Sequence, residues 1–95
     1  MVGFSEVLET AEASIFVSLS ELKKRNVVIN GNRTSVTLEP QIWSILQRVA
    51  EEQGSDVHEL CSFIGERKNE DTSLASAIRV FLISYLDIRL KKATY

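Results

Sequence analysis

The fold of this chain is decided by residues 33–40, which read Arg-Thr-Ser-Val-Thr-Leu-Glu-Pro. Side chains alternate between the two faces of a β-strand, so this stretch predicts one mainly apolar face and one wholly polar face. The apolar face carries Thr34, Val36 and Leu38, and the polar face carries Arg33, Ser35 and Thr37. Pro40 favours the first position of a helix, where its missing N–H costs nothing. We therefore expect a strand that runs directly into a helix.

Two helices are predicted between this strand and residue 67. The first covers residues 40–53, and Gly54 ends it because glycine accepts the left-handed conformation. The second covers residues 57–67, and Asp56 with Glu59 has the form of a capping box at its start. Trp43 is expected to pack against the core rather than stack on a ligand. The apolar stripes of the two helices contain Ile42, Ile45, Leu46, Val49, Ala50, Val57, Leu60, Cys61 and Ile64.

A third helix and an N-terminal helix complete the predicted elements. The third begins after a Thr72 or Ser73 cap and reaches about residue 92. Its buried side is predicted to contain Leu74, Ile78, Phe81, Leu82, Tyr85 and Ile88. Apolar spacing predicts an amphipathic helix over residues 4–22, although residues 15–17, Ile-Phe-Val, also fit an extended run. We divide the chain into an N-terminal amphipathic segment, residues 1–25, and a domain over residues 26–95.

Composition indicates a small globular domain. The chain has 95 residues, of which 44% are apolar, and one cysteine, which excludes an internal disulfide. A domain of this size has a small core, so burial against a second copy is expected to add stability. No apolar run approaches the roughly 20 residues that cross a bilayer, and the N-terminus lacks the pattern of a secretion signal. A cytoplasmic location without membrane contact is the expectation.

The charge distribution is uneven along the chain. The net charge is −2, which disfavours a polyanionic partner. Between Glu21 and Glu39, however, there is no acidic residue, and the interval contains Lys23, Lys24, Arg25 and Arg33. Charge alone fits either a solvated linker or a surface for nucleic acid.

The strand, the two helices and the glycine between them resemble the ribbon-helix-helix family. The resemblance covers about residues 33–67. The chain is similar in particular to a subgroup of small bacterial and phage proteins, which share the strand junction of residues 33–40 and a later stretch like Leu-Ala-Ser-Ala-Ile-Arg-Val-Phe at 74–81. This resemblance extends to about residues 26–88. It implies a mainly helical dimer in which two chains form an antiparallel two-stranded ribbon that enters the DNA major groove.

The resemblance also implies DNA-contacting residues. The family's base-reading positions fall on Arg33, Ser35 and Thr37, whose side chains are able to hydrogen-bond base edges. The same three residues also fit a polar face that is merely solvated. Family phosphate contacts fall on Val57 and His58, at a helix N-terminus that suits anions. This sequence departs from that pattern at Asp56, which places a carboxylate beside the phosphate.

The dipeptide Asn30-Gly31 is a strong signal for a two-residue hairpin between residues 27–29 and 32–34. If it forms, a dimer would have four strands at ~4.8 Å spacing, more than the ~12 Å width of the major groove admits. Groove binding by this ribbon would then be blocked or altered. Either residues 27–30 leave the sheet as an arm, or the dimer serves a different purpose.

The functional interpretation is a sequence-specific DNA-binding regulator, a repressor, without catalytic activity or cofactor. Duplex DNA and a second copy are the expected partners, with Lys23, Lys24 and Arg25 contacting phosphates, and assembly beyond the dimer is left open. One histidine and one cysteine do not make a zinc site. The alternative is a protein-interaction dimer, antitoxin-like or a phage accessory protein, which binds another protein through its N-terminal segment or third helix. Overall acidity, Asp56 and the apolar residues Ile15, Phe16 and Val17 favour this alternative.

Overall fold

The computed structural model of the chain describes residues 3–94, apart from the side chains of residues 14, 16–20 and 94. The elements in chain order are α1 (Phe4–Ser20), β1 (Lys23–Ile29), β2 (Asn32–Leu38), α2 (Pro40–Glu52), α3 (Val57–Arg67) and α4 (Leu74–Thr94). The two strands form one antiparallel sheet, and helices supply the rest of the described elements. The predicted mainly helical fold class is confirmed.

The hairpin signal at Asn30-Gly31 is confirmed, because β1 and β2 pair along their whole length. Both turn residues have positive φ, 50° at Asn30 and 82° at Gly31, as a type I′ turn requires. The register runs from Lys23 opposite Leu38 to Ile29 opposite Asn32. Residues 27–30 therefore do not form a free arm in this chain. β1 also crosses the boundary at residues 25 and 26 that was expected between the N-terminal segment and the domain.

The core lies between the inner face of the hairpin and helices α2, α3 and α4. On β2, Val36 and Leu38 are buried while Arg33, Ser35 and Thr37 are exposed, as the alternation predicts. Trp43 and Cys61 are buried, which confirms that both pack in the core. The other buried residues are Val27, Leu46, Val49, Ala50, Leu60, Ile64, Ile78 and Leu82.

The helix ends follow the capping signals. Asp56 Oδ1 accepts a hydrogen bond from the Glu59 amide at 2.8 Å, and α3 spans the predicted residues. Ser73 rather than Thr72 caps α4, because its Oγ accepts from the Ser76 amide at 3.1 Å. Gly54, with a φ of 68°, follows α2, which ends one residue before the predicted position.

One prediction of burial is wrong, and one alternative that the sequence left open is decided by the structure. Ile88 is 55% exposed rather than buried, because α4 extends past the core that Ile78 and Leu82 fill. The predicted N-terminal helix is confirmed, because α1 continues through residues 15–17 to Ser20, two residues before its predicted end. The side chains of Phe16, Val17 and Leu19 lie outside the described part of the chain. The remaining predicted stripe of α1 joins no core: Phe4, Val7, Leu8, Ala11 and Ile15 are all exposed.

An ion pair ties α4 to the junction of β2 and α2. The Arg79 guanidinium donates to Glu39 Oε1 from Nε at 3.0 Å and from Nη2 at 2.8 Å. The backbone amide of Glu39, and then Arg79, hydrogen-bond to this carboxylate and lower its pKa. The end of β2 is thereby held to the helical layer on the side opposite its polar face.

Candidate nucleic-acid interface

The outward face of the hairpin is mainly polar, with Val28 as its apolar member, and contains side chains from both strands. Residues directly opposite each other on two antiparallel strands project their side chains from the same face of the sheet, so each exposed β2 residue lies beside a β1 residue. The pairs are Arg33 with Val28, Ser35 with Asn26, and Thr37 with Lys24. Ser35 Oγ donates to Asn26 Oδ1 at 2.8 Å. The three residues predicted to contact bases are therefore brought together, and Ser35 is already hydrogen-bonded.

Asn26 belongs to this face although sequence reasoning did not assign it a role. The signal that identifies it is the two-residue turn at Asn30-Gly31, which fixes the register and so places Asn26 opposite Ser35. Lys24 was assigned a phosphate contact, and the same register places it on the outward face.

The other two basic residues of β1 lie on the inner side of the sheet. Lys23 pairs with the buried Leu38, and Arg25 pairs with the buried Val36. The Arg25 guanidinium lies over the Trp43 ring, 5.4 Å from its centroid, a cation–π contact. The Trp43 indole Nε1 donates to the Lys23 carbonyl at 2.9 Å. Of the three predicted phosphate contacts on β1, Lys24 alone shares a face with Arg33.

The hairpin is locally cationic. Residues 23–38 contain four basic residues and no acidic residue. Lys23 lies 3.9 Å from Glu21, in an exposed pair worth little in water. Lys24 and Arg33 form no ion pair with any residue that the structure describes. A positive potential on the outward face attracts polyanions.

The outer edge of β1 is closed by α3. The Val28 amide donates to His58 Nδ1 at 3.0 Å, and Ser62 Oγ donates to the Val28 carbonyl at 3.4 Å. A buried or covered strand edge needs such partners for its backbone groups. His58, which was predicted to contact phosphate, thus has a structural partner within its own chain.

The N-terminus of α3 is acidic, which opposes phosphate binding there. The Asp56 carboxylate accepts a hydrogen bond from the Glu59 amide, and the Glu59 carboxylate accepts one from Ser55 Oγ at 2.7 Å. Two carboxylates therefore lie beside the exposed amides of the first turn. Val57, the second predicted phosphate contact on α3, is half-buried.

The outer edge of β2 is open. In a two-residue hairpin, Ile29 and Asn32 exchange backbone hydrogen bonds, and the pattern then alternates along the strands. The backbone N–H and C=O groups of Arg33, Ser35 and Thr37 consequently point away from β1. Over residues 3–94, no backbone hydrogen bond from outside the hairpin reaches these three residues. An unpaired edge of this kind is a template for another strand.

Other chemistries have little support among the described residues. They contain no group of three His, Cys, Asp or Glu side chains that could hold a metal ion. Burial raises the pKa of the Cys61 thiol to about 11, which keeps it protonated and unreactive at neutral pH. Within residues 3–94, no helix is long and apolar enough to cross a membrane.

Comparisons with known proteins agree with this geometry. A family model described as a ribbon-helix-helix domain matches residues 22–86, from the residue before β1 into α4. The structure is similar to that of an uncharacterized protein from Bordetella pertussis Tohama I. The TM-score is 0.64 and the identity 22%, over 86% of this chain and 72% of that one. At this identity the likeness shows the fold alone. No curated protein matches the chain.

Proposed function

Because this chain belongs to the ribbon-helix-helix family, whose members are generally DNA-binding regulators, we propose that it binds duplex DNA as a homodimer. In this proposal it acts in the cytoplasm as a sequence-specific repressor. The observation that carries the proposal is the outward face of the hairpin, where Arg33, Ser35 and Thr37 lie beside Asn26 and Lys24 without an acidic residue on either strand.

The open edge of β2 supports dimerisation. If β2 of each copy pairs antiparallel with β2 of the other, the unpaired backbone groups of residues 33, 35 and 37 gain partners in a two-fold arrangement. Each β1 then lies outside the central pair, and α3 closes its far edge. The sheet of the dimer has four strands, with the two polar faces continuous.

The width of this sheet changes how it meets DNA. Four strands span about 14 Å between the outer strand axes, whereas the major groove is about 12 Å wide. The central β2 pair is therefore centred over the groove while each β1 lies over a phosphate backbone. Arg33, the longest of the three central side chains, is the one best able to reach guanine, and Lys24 on β1 contacts phosphate. Ser35 and Thr37 have shorter reach and contact bases only where the sheet sits deepest.

Binding to genomic DNA fragments tests this proposal, with Arg33→Ala compared against Arg48→Ala. Arg48 is exposed on α2, so its substitution removes the same charge from a different surface. Arg33→Ala should relax sequence preference at one base pair by about 1–3 kcal/mol, and Arg48→Ala should leave it unchanged. Wild-type binding should weaken steeply as salt rises. Equal effects of the two variants, or no DNA bound at low salt, would contradict the proposal.

A second candidate is the protein-interaction dimer, antitoxin-like or a phage accessory protein. The observation that favours it is the exposure of large apolar side chains on α4, with Val80, Ile83 and Leu90 each more than 60% exposed. Apolar groups concentrated on one helix surface indicate contact with another protein. A protein partner retained in a pull-down by a chain that protects no DNA would favour this candidate.

A further inference from the structure

A groove with an apolar floor and a basic rim lies between α3 and α4. It has a volume of about 370 Å³, and its lining includes Phe63, Arg67, Lys68, Val80 and Phe81. Phe63 is 46% and Val80 63% exposed, although both are large apolar side chains. The Arg67 guanidinium lies over the Phe63 ring, 3.7 Å from its centroid. We call this feature the α3–α4 groove.

The apolar surface continues from the α3–α4 groove along α4. Ile88 follows Phe81 by two helical turns, on the same side of α4, and its side chain is 55% exposed. At 1.5 Å per residue, the stretch from Ala77 to Ile88 is about 16 Å long. The surface is therefore an elongated strip rather than an isolated pocket, and its length suits a helix.

Helix α1 has the complementary character. Phe4, Val7, Leu8, Ala11 and Ile15 form one stripe at helical spacing, about 16 Å long, and all five are exposed. The helix contains three glutamates and no basic residue. All described side chains of α1 are exposed, so its apolar stripe is not buried against the rest of its own chain.

From this complementarity we infer that α1 of one copy docks in the α3–α4 groove of a second copy, reciprocally. Phe4 or Leu8 fills the space beside Val80, and Glu12, at the border of the stripe, faces the basic rim. The inference goes beyond the proposed function, because the contact needs neither DNA nor any residue of the outward hairpin face.

Charge distinguishes this pairing from a symmetric pairing of two α1 helices. The α3–α4 groove contributes Lys68 and Arg67, of which Arg67 also pairs with Glu66. On α4, three of the four basic residues form ion pairs: Arg79 with Glu39, Arg89 with Glu52, and Lys91 with Asp87. Two α1 helices would bring acidic surfaces together, since α1 has three glutamates and no basic residue. Docking of α1 in the groove instead places its glutamates beside the basic rim, so it joins opposite charges.

In the folded chain, α1 does not lie in its own α3–α4 groove. Two residues, 21 and 22, join α1 to the Lys23 end of the hairpin. The groove lies near the opposite end, where Ile29 and Leu74 lie within 4 Å of the Cβ position of Gly65 on α3. That end is about 20 Å away along β1, and α1 runs beside its own α2, which leaves the groove open to α1 of another copy. A two-fold dimer would form the contact twice.

Disulfide trapping between two singly substituted full-length chains tests the inference. Leu8→Cys protein is mixed with Val80→Cys protein under mild oxidation, and peptide mass spectrometry identifies the linked residues. The native Cys61 is fully buried and stays out of the reaction. We expect a link between residues 8 and 80 of different chains. The matched control, Ala13→Cys with Val80→Cys, should give at least tenfold less product, because residue 13 lies on the opposite face of α1.

Two results would overturn the inference. A predominant link between two copies of residue 8 would mean that α1 pairs with α1. A link within one chain, in the dilute double variant Leu8→Cys/Val80→Cys, would mean that α1 fills its own groove. A second measurement uses Glu6, Glu9 and Glu12, each changed to Lys, which should lower the yield of the link between residues 8 and 80 at least tenfold. An unchanged yield would contradict the role of charge. DNA binding is measured separately, so failure of one proposal does not decide the other.

Discussion

The two edges of the β-hairpin are treated differently by the rest of the chain. At the edge of β1, His58 and Ser62 of α3 bind the amide and carbonyl of Val28. At the edge of β2, the backbone groups of residues 33, 35 and 37 have no such partner among the described residues. The fold therefore protects one edge and leaves the other available, which indicates where a second copy adds its strand.

The largest expected effect comes from blocking the open edge. Ser35→Pro removes an N–H that points away from β1, so the hairpin stays intact while pairing with a second β2 is lost. We expect dimerisation to weaken by about 2–3 kcal/mol, because each chain loses a hydrogen bond and the proline ring obstructs the partner strand. Analytical ultracentrifugation measures the change.

Asn26→Pro is the matched control for this substitution. Asn26 lies directly opposite Ser35, and its amide points toward the closed edge. Both variants also disrupt the bond between Ser35 and Asn26, so that loss cancels in the comparison. Equal dimer affinity in the two proline variants would show that the open edge of β2 is not the dimer contact.

The next effect separates the two faces of β1. Lys24→Ala should make DNA binding less sensitive to salt. The slope of the logarithm of the binding constant against the logarithm of salt concentration should become shallower by about one unit for each Lys24 in the dimer. Lys23→Ala should leave the slope nearly unchanged, because Lys23 shares the inner face with Leu38. Fluorescence titrations at several salt concentrations measure both slopes. A larger change for Lys23 than for Lys24 would reverse our assignment of the DNA-facing side.

A smaller effect is expected from opening the closed edge. His58→Ala removes the acceptor of the Val28 amide, which should lower protection of that amide by about 1 kcal/mol. Hydrogen exchange followed by NMR measures this local change. Glu66→Ala, at an exposed position on the same helix, is the control and should leave exchange at Val28 unaltered. Unchanged Val28 exchange in His58→Ala would contradict the closure of the β1 edge by α3.

The smallest effect concerns how the end of β2 is anchored. The pKa of Glu39 is lowered in the folded chain, so its ionised form contributes stability above the ordinary pKa of 4.5. This contribution is lost as the pH falls through the lower, folded pKa. Glu39→Gln should therefore be less stable than wild type at pH 7, by under about 1 kcal/mol for a partly solvated pair, and the difference should shrink as the pH falls below 4.5. A difference that grows in acid, measured by urea unfolding, would contradict this assignment.

Local sequence signals predicted most of the fold because they act over a few residues. Pro40, Asp56 and Asn30-Gly31 each specify a helix start or a turn from their own backbone chemistry. The outward position of Arg33 followed from strand alternation alone. The position of Asn26 beside Ser35 was also predictable, since the turn fixes the register of the two strands. That prediction required choosing the hairpin over a free arm.

The remaining features depend on contacts that no local pattern encodes. His58 meets Val28 across 30 residues of sequence, because α3 packs along β1. Ile88 has the spacing of a buried residue, yet the core ends before it, and periodicity does not report where a core stops. The same limitation applies to α1, whose apolar stripe is evident in the sequence while its site of burial is not.

Hydrogen exchange at the amides of Arg33, Ser35 and Thr37, measured across a dilution series, tests the central claim most directly. If β2 pairs with β2 of a second copy, these amides are protected at high concentration and lose that protection on dilution, while Val28 stays protected throughout. Exchange at residues 33, 35 and 37 that is fast and independent of concentration would contradict the account.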